Sequence, residues 1–188
     1  YAEDQGLNYL PVSSAYALAL VAPVLSKAGK EVRIIAASAL EPEMLNQFDI
    51  VYIGLFSGMG MLEDVNFANS TFAIGESYDE LRDLAGGRIY TSGEARRLAS
   101  RVEYRDYGYV SRSLAPGGGQ MVVLAGSRDT GLRGIASLAT NPALPAGMAP
   151  AASAGFEALV QVTGQQGADL ANRLLAARNR KPAGDTIH

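Results

Sequence analysis

The hydrophobic pattern changes period several times along the chain, and each change marks an element. Phe48 to Leu55 (FDIVYIGL) is continuous, β-branched and aromatic, the pattern of a central parallel strand buried on both faces. Gln120 to Ala125 (QMVVLA) and Phe156 to Val162 (FEALVQV) read as further buried strands, and Glu31 to Ala37 (EVRIIAA) as another. Leu7 to Val12 is a short apolar stretch that reads as the first strand of the chain. Arg105 to Ser113 alternates, which places Tyr107 and Tyr109 on one strand face and points to packing.

Helical signals fall between these runs. Ser13 and Ser14 offer N-cap hydroxyls to a helix that runs through Ala28 and closes at Gly29, with Pro23 inside it. A short helix opens at Glu41-Pro42-Glu43, another covers roughly Met61 to Ala68, and a third follows Ser127–Gly131 to about Thr140. In the middle, Thr71–Ile74 and Arg88–Thr91 read as strands, Tyr78–Leu81 as a helical turn and Gly93–Arg101 as a short helix. Pro116–Gly119 and Gly164–Gly167 are turn signals, and Leu170–Arg178 fits either a returning strand or a helix. The order of elements predicts one α/β domain over residues 1–178. It is expected to be three-layered, with a mixed sheet whose parallel strands come from the first half and whose antiparallel hairpin strands come from the second. Pro142–Gly155 is expected to be a linker inside that domain. The breaker-rich run from Arg178 to Asp185 predicts a flexible tail over 179–188.

Composition narrows the chemistry. The chain has 188 residues, 48% hydrophobic and 19% charged, enough for one ordinary core. A net charge of −3 argues against a nucleic-acid surface. There is no Cys, and the single His is His188. Thiol catalysis, disulfides, Cys-based metal sites and His-dependent triads are thereby removed. The apolar run Ala15–Leu25 is short for a membrane span and is interrupted by Pro23. The start at Tyr1 leads to the expectation of a soluble fragment of a longer protein, cytoplasmic or periplasmic.

Three places repeat one arrangement, in which a strand is followed by a Gly/Ser turn and then a helix: Val12–Ser14, Leu55–Gly60 and Ala125–Gly131. In open α/β sheets ligands sit outside the carboxyl ends of parallel strands, where helix N-termini present free N–H groups. Ser13, Ser14, Ser57, Gly58, Gly60, Ser127, Arg128, Asp129 and Thr130 are therefore the candidate ligand-binding rim, suited to a small anion or carboxylate. The same serines also fit plain helix caps, Asp129 fits an N-cap, and Arg128 fits a solvated charge.

Specific motifs fail. Gly58-Met59-Gly60-Met61-Leu62-Glu63 has Glu where a dinucleotide fingerprint needs its third Gly. Lys occurs only at 27, 30 and 181, never after a Gly-rich turn, so a Walker-type phosphate loop is excluded. The surroundings of Ser57 lack the spacing of a nucleophile elbow. Glu63-Asp64 and Asp79-Glu80-Asp83 read as helix-dipole compensation and surface charge, with no metal-ligand spacing.

The stretches Phe48–Gly60 and Tyr104–Gly131, followed by Phe156–Val160, resemble a soluble α/β domain of uncharacterised bacterial proteins. In those proteins the domain is attached to regulator, helix-turn-helix or membrane-anchored segments. The resemblance covers about two-thirds of the chain, implies a Rossmann- or flavodoxin-like sheet, and carries no catalytic residue and no cofactor. Taken together, these features give a non-catalytic small-molecule-binding or sensory domain as the leading expectation. A His-independent hydrolase or transferase using Ser57 and Asp129, with Arg128, is the alternative. A structural or oligomerisation module is a third reading; it predicts an apolar face on Thr71–Arg101 and a homodimer.

Overall fold

The computed structural model describes residues 10–141 and 155–180. In chain order its elements are α1 (Val12–Lys27), α2 (Met44–Gln47), β1 (Ile50–Leu55), α3 (Met61–Phe67), β2 (Phe72–Ile74), β3 (Glu80–Asp83) and β4 (Arg88–Thr91). Then follow α4 (Glu94–Arg97), β5 (Tyr104–Leu114), β6 (Gln120–Gly126), α5 (Asp129–Ala139), β7 (Phe156–Gln165) and β8 (Ala168–Asn179). A mixed five-stranded sheet has the order β1-β6-β5-β7-β8; β1 and β6 are parallel, and all other neighbours are antiparallel. A separate antiparallel sheet has the order β2-β3-β4. The chain is thus α/β with a mixed sheet.

Period-two alternation divides the core between the two faces of the large sheet. Met121, Val123 and Ala125 point to one side with Tyr107, Tyr109 and Leu159, where they meet Phe56, Leu62, Phe72 and Leu81. That side carries α3 and the small sheet. Leu124 points to the other side with Val110, Ala158, Val160 and Val162, against Ala17 and Val21 of α1 and Leu132 and Ile135 of α5. α5 lies directly on the strands. A Cβ on Gly131 would stand 2.3 Å from the Tyr107 carbonyl oxygen, and one on Gly108 would stand 2.5 Å from the Gly131 oxygen. Only glycine permits that approach.

The small sheet is fastened to the large one by polar groups as well as apolar ones. Glu157 of β7 is fully buried and accepts four hydrogen bonds: from Ser70 Oγ (2.5 Å), Thr71 N (2.7 Å), Thr71 Oγ1 (2.6 Å) and the Tyr109 hydroxyl (2.9 Å). Arg180 lies 4.0 Å from the same carboxylate and donates to Asn66 Oδ1 at 2.9 Å and to the Asn66 carbonyl. Ser111 Oγ also donates to Asn66 Oδ1, at 2.7 Å. Burial first, and the Glu157 charge second, push the Tyr109 hydroxyl up to about 12, so it stays a donor. Beside this network Arg178 donates twice to Asp83, at 2.7 Å in both bonds, and its guanidinium lies over the Phe72 ring. That pairing, above all other causes, holds the Asp83 carboxyl below its ordinary range.

Several expectations change. Val12 already lies in α1, and Leu7–Tyr9 fall outside the described residues, as do Pro142–Ala154 of the expected linker. Residues 31–37, expected as a strand, form none among the described residues. Among the described strands β1 lies at the end of the sheet order, and its parallel partner comes from the second half of the chain. Tyr78–Leu81 is not a helical turn: Glu80 and Leu81 open β3, because Leu81 is drawn into the core against β2 and β4. Leu170–Arg178 is a strand, since β8 completes a hairpin with β7. Asp83 is no surface charge. Asn179 and Arg180 are not part of a flexible tail, because Asn179 ends β8 and Arg180 is buried in the Glu157 network; residues 181–188 lie outside the described residues. The expected packing role of the tyrosines holds: Tyr109 contacts the rings of Phe56, Phe67 and Phe72, and Tyr107 contacts that of Tyr90.

Removing one partner of a buried ion network leaves the other charge uncompensated. Glu157→Ala is expected to lower the unfolding free energy by about 3–5 kcal/mol, read as a fall in the urea midpoint with unchanged slope. A loss under about 1 kcal/mol, the size of a surface pair, would contradict the role given to Glu157.

Candidate functional site

The parallel register brings two of the three predicted turns together. Leu55 is level with Gly126 on adjacent strands, so residues 56–60 and 127–131 leave the same edge of the sheet side by side. The start of α1 joins them, because Ser13 Oγ donates to Asp129 Oδ1. The sequence-predicted rim is thus one place in the fold, at the carboxyl ends of β1 and β6.

Its chemistry differs from the expectation. Ser13 and Ser14 are not caps: the N-cap of α1 is Pro11, and both serines are buried in the first turn. Asp129 is not a cap either, since Arg128 holds the N-cap position of α5. Arg128 donates through Nε to Asp79 Oδ1 and through Nη2 to Asp79 Oδ2 at 2.9 Å, which makes it a partnered charge. Hydrogen bonding to Asp79 is the leading cause that raises the Arg128 pKa. Thr130 is fully buried, and its hydroxyl meets the Tyr104 hydroxyl at 2.9 Å. Ser127 is buried with its Oγ unpartnered among the described residues. Ser57, Gly58 and Gly60 are exposed, as are Arg128 and Asp129, and Gly60 takes φ +53, a backbone conformation that favours glycine. Tyr52 braces their turn from beneath by donating to the Leu55 carbonyl at 2.6 Å, and burial raises the pKa of this hydroxyl.

The decisive residues are two that were not predicted. Glu94 of α4 is 3% exposed and accepts the Thr130 N–H at 3.0 Å through Oε2. Asp106 of β5 is fully buried and accepts the Gly131 N–H at 2.5 Å through Oδ2. Two N–H groups of the first turn of α5, which was expected to face an anion, are occupied by the protein's own carboxyl groups. These acids are favoured there by the positive end of the helix dipole. The anion expected at Ser127–Thr130 would thus meet two N–H groups already bonded, those of Thr130 and Gly131, and an arginine already paired with Asp79. Glu63, Asp64, Asp79 and Asp129 also gather at or beside this edge, against Arg128 alone of the predicted rim.

Asp106 carries a signal that alternation could have given. Tyr104, Asp106, Gly108 and Val110 share one face of β5, and that face is covered by α5, so an aspartate at position 106 is a core-facing acid. Burial first, and the adjacent Glu94 charge second, push the Asp106 carboxyl up to about 7. Its Oδ1 has no partner among the described residues. Ser57 and Asp129 are not joined by any hydrogen bond among the described residues, and Asp129 is engaged by Ser13. The described residues contain no cluster of three or more His, Cys, Asp or Glu side chains able to hold a metal ion. No described helix is long and apolar enough to cross a membrane. No protein-family model, curated protein or solved structure matches the chain.

The raised Asp106 pKa has a signed consequence. The folded chain keeps a proton that the unfolded chain releases between pH 3.8 and about 7. The stabilisation is present in full below the ordinary carboxyl value and is lost as pH rises through about 7. Asp106→Asn keeps an acceptor for the Gly131 N–H and cannot ionise. Urea unfolding between about pH 4 and about pH 7 should show a smaller loss of stability in Asp106→Asn than in the unsubstituted protein. Equal losses in both would contradict the buried, protonated carboxyl.

Proposed function

We propose that this chain is a non-catalytic, small-molecule-binding or sensory domain whose ligand sits on the turns at the carboxyl ends of β1 and β6. The observation that carries this reading is their convergence: Ser13, Ser57–Gly60 and Ser127–Thr130 meet at one sheet edge. The exposed backbone and hydroxyl of Ser57 and the glycines beside it supply adaptable hydrogen bonds. Carboxylates outnumber Arg128 there, and the Thr130 and Gly131 N–H groups of α5 are already bonded, so the ligand is small and polar, neutral or cationic rather than anionic. The separation of Ser57 from a free base favours holding a ligand over transforming one. The resemblance to bacterial regulator-attached domains agrees with a sensory role. With α1 and α5 on one face and α3 with the small sheet on the other, we propose a three-layer, Rossmann-like organisation.

A thermal-shift panel tests the reading, with polyols and sugars, small amines such as agmatine, and inorganic phosphate. A bound member of the first two classes should raise Tm by about 5–10 °C at a hundredfold excess over its Kd. Ser57→Trp, at an exposed position, should abolish that rise. A shift with phosphate alone, or none with any class, would overturn it.

A further inference from the structure

Beyond Tyr107 the face of the large sheet that carries the small sheet turns polar. Arg105 and Tyr107 share that face of β5. Thr163 and Gln161 lie directly opposite them on β7, and Gln161 in turn faces Arg173 of β8. The chain leaving β4 forms a second wall with Thr91, Gly93 and Arg97. That wall is tied down by the Gly93 N–H, which donates to the Arg105 carbonyl at 2.8 Å. Between the walls is an open cleft of about 500 Å³, into which Glu103 also reaches. Pockets for small ligands commonly measure about 300–1,000 Å³. No residue lining this cleft belongs to the rim at the carboxyl ends of β1 and β6.

The cleft gathers positive charge that the protein leaves uncompensated. Residues 96–105 hold four arginines against one acid, Glu103. Arg128, Arg133, Arg178 and Arg180 each meet a carboxylate. Arg97, Arg105 and Arg173 are exposed and form no ion pair among the described residues. The Arg105 side chain makes no hydrogen bond to another described residue. Arg97 donates through Nη1 to the Glu103 carbonyl at 3.3 Å. Arg173 donates through Nη2 to Gln161 Oε1 at 3.2 Å, which turns the Gln161 amide nitrogen into a spare donor. Burial is the leading cause that raises the Tyr107 pKa, while Arg105 and Arg173 both pull it down, so these two charges converge on one hydroxyl. A cleft lined by one sign of charge concentrates ions of the other. Guanidinium forks fit the oxygens of phosphate or carboxylate in pairs. Three forks at one cleft offer more donors than a single carboxylate accepts, and a phosphate head supplies the extra oxygen.

We propose that this cleft is a second binding site, for a small phosphate monoester with a hydroxylated body. Arg97, Arg105 and Arg173 hold the phosphate. Gln161 and Thr163 donate to the hydroxyl groups of the body, and Glu103 accepts from them. The net charge of −3 repels an extended polyanion, so the ligand carries its phosphate on a small body rather than along a chain. The site is independent of the ligand proposed for the β1 and β6 turns.

Isothermal titration calorimetry on the full chain at low ionic strength tests this, with glycerol 3-phosphate, inorganic phosphate and glycerol as probes. Glycerol 3-phosphate should bind at one site, at least about threefold tighter than inorganic phosphate, and glycerol should give no binding heat at this site. Arg105→Gln and Arg173→Gln, both at exposed positions, should each weaken glycerol 3-phosphate at least about tenfold. Arg88→Gln, an exposed arginine of β4 outside the cleft, should change its Kd by less than about twofold. Ser57→Trp should leave it unchanged, which separates this site from the rim. Absence of glycerol 3-phosphate binding would overturn the proposal. So would equal weakening by Arg88→Gln and Arg105→Gln, loss of binding in Ser57→Trp, or inorganic phosphate binding as tightly as the ester.

Discussion

Everything at the candidate site depends on one contact: two buried carboxyl groups capping the first turn of α5. Glu94 takes the N–H of Thr130 and Asp106 takes that of Gly131. A helix N-terminus is ordinarily an anion site because those donors are free and the dipole points at them. Here the protein supplies the accepting carboxyl groups itself. The acids arrive from different elements, α4 and β5, so the same two bonds tie the connection after the small sheet and the middle of the large sheet to α5. One of the acids is held neutral well above the ordinary carboxyl range, which limits the charge buried at one helix end.

A second buried network performs the matching task on the other face. Glu157, Tyr109, Asn66 and Arg180 join β7, β5, the end of α3 and the residue after β8. The apolar side chains around them supply the non-directional driving force, and the polar bonds select which small-sheet strand faces which large-sheet strand. α5 is fixed differently. Gly131 and Gly108 let backbone meet backbone, so α5 sits closer to the sheet than side chains would allow, and its N-terminus comes within reach of Asp106. Close packing on one face thus creates the geometry that the acid cap requires.

Much of this was legible in the residues. The runs FDIVYIGL, QMVVLA and FEALVQV announce strands because β-branched and aromatic residues in unbroken sequence suit surfaces buried on both sides. The convergence of Ser57 and Ser127 was foreseen as turns, but whether they share an edge depends on strand order, which no local pattern encodes. The pairing that decides it, β1 with β6, spans two halves of the chain. Leu81 and Leu170 misled or divided the reading because short segments take their conformation from partners: β3 from β2 and β4, and β8 from β7. Arg178 and Arg180 looked like a solvated tail because charge is ordinarily exposed. Asp83, and the Glu157 network with Asn66, were the hidden partners. Asp106 was readable as a core-facing acid by alternation with Tyr104 and Gly108, but its partner, the Gly131 N–H, was not.

The claim at the centre of this structure is that Asp106 is a buried acid sharing the cap of α5 with Glu94. A carboxyl-carbon NMR titration of Asp106 in the full chain, read together with the Gly131 amide proton, measures it most directly. The predicted result is a midpoint of about 7 at Asp106, with the Gly131 N–H shifting in step and the midpoint falling in Glu94→Gln. A midpoint of about 4, the ordinary value for an exposed aspartate, with a Gly131 signal indifferent to pH, would contradict it.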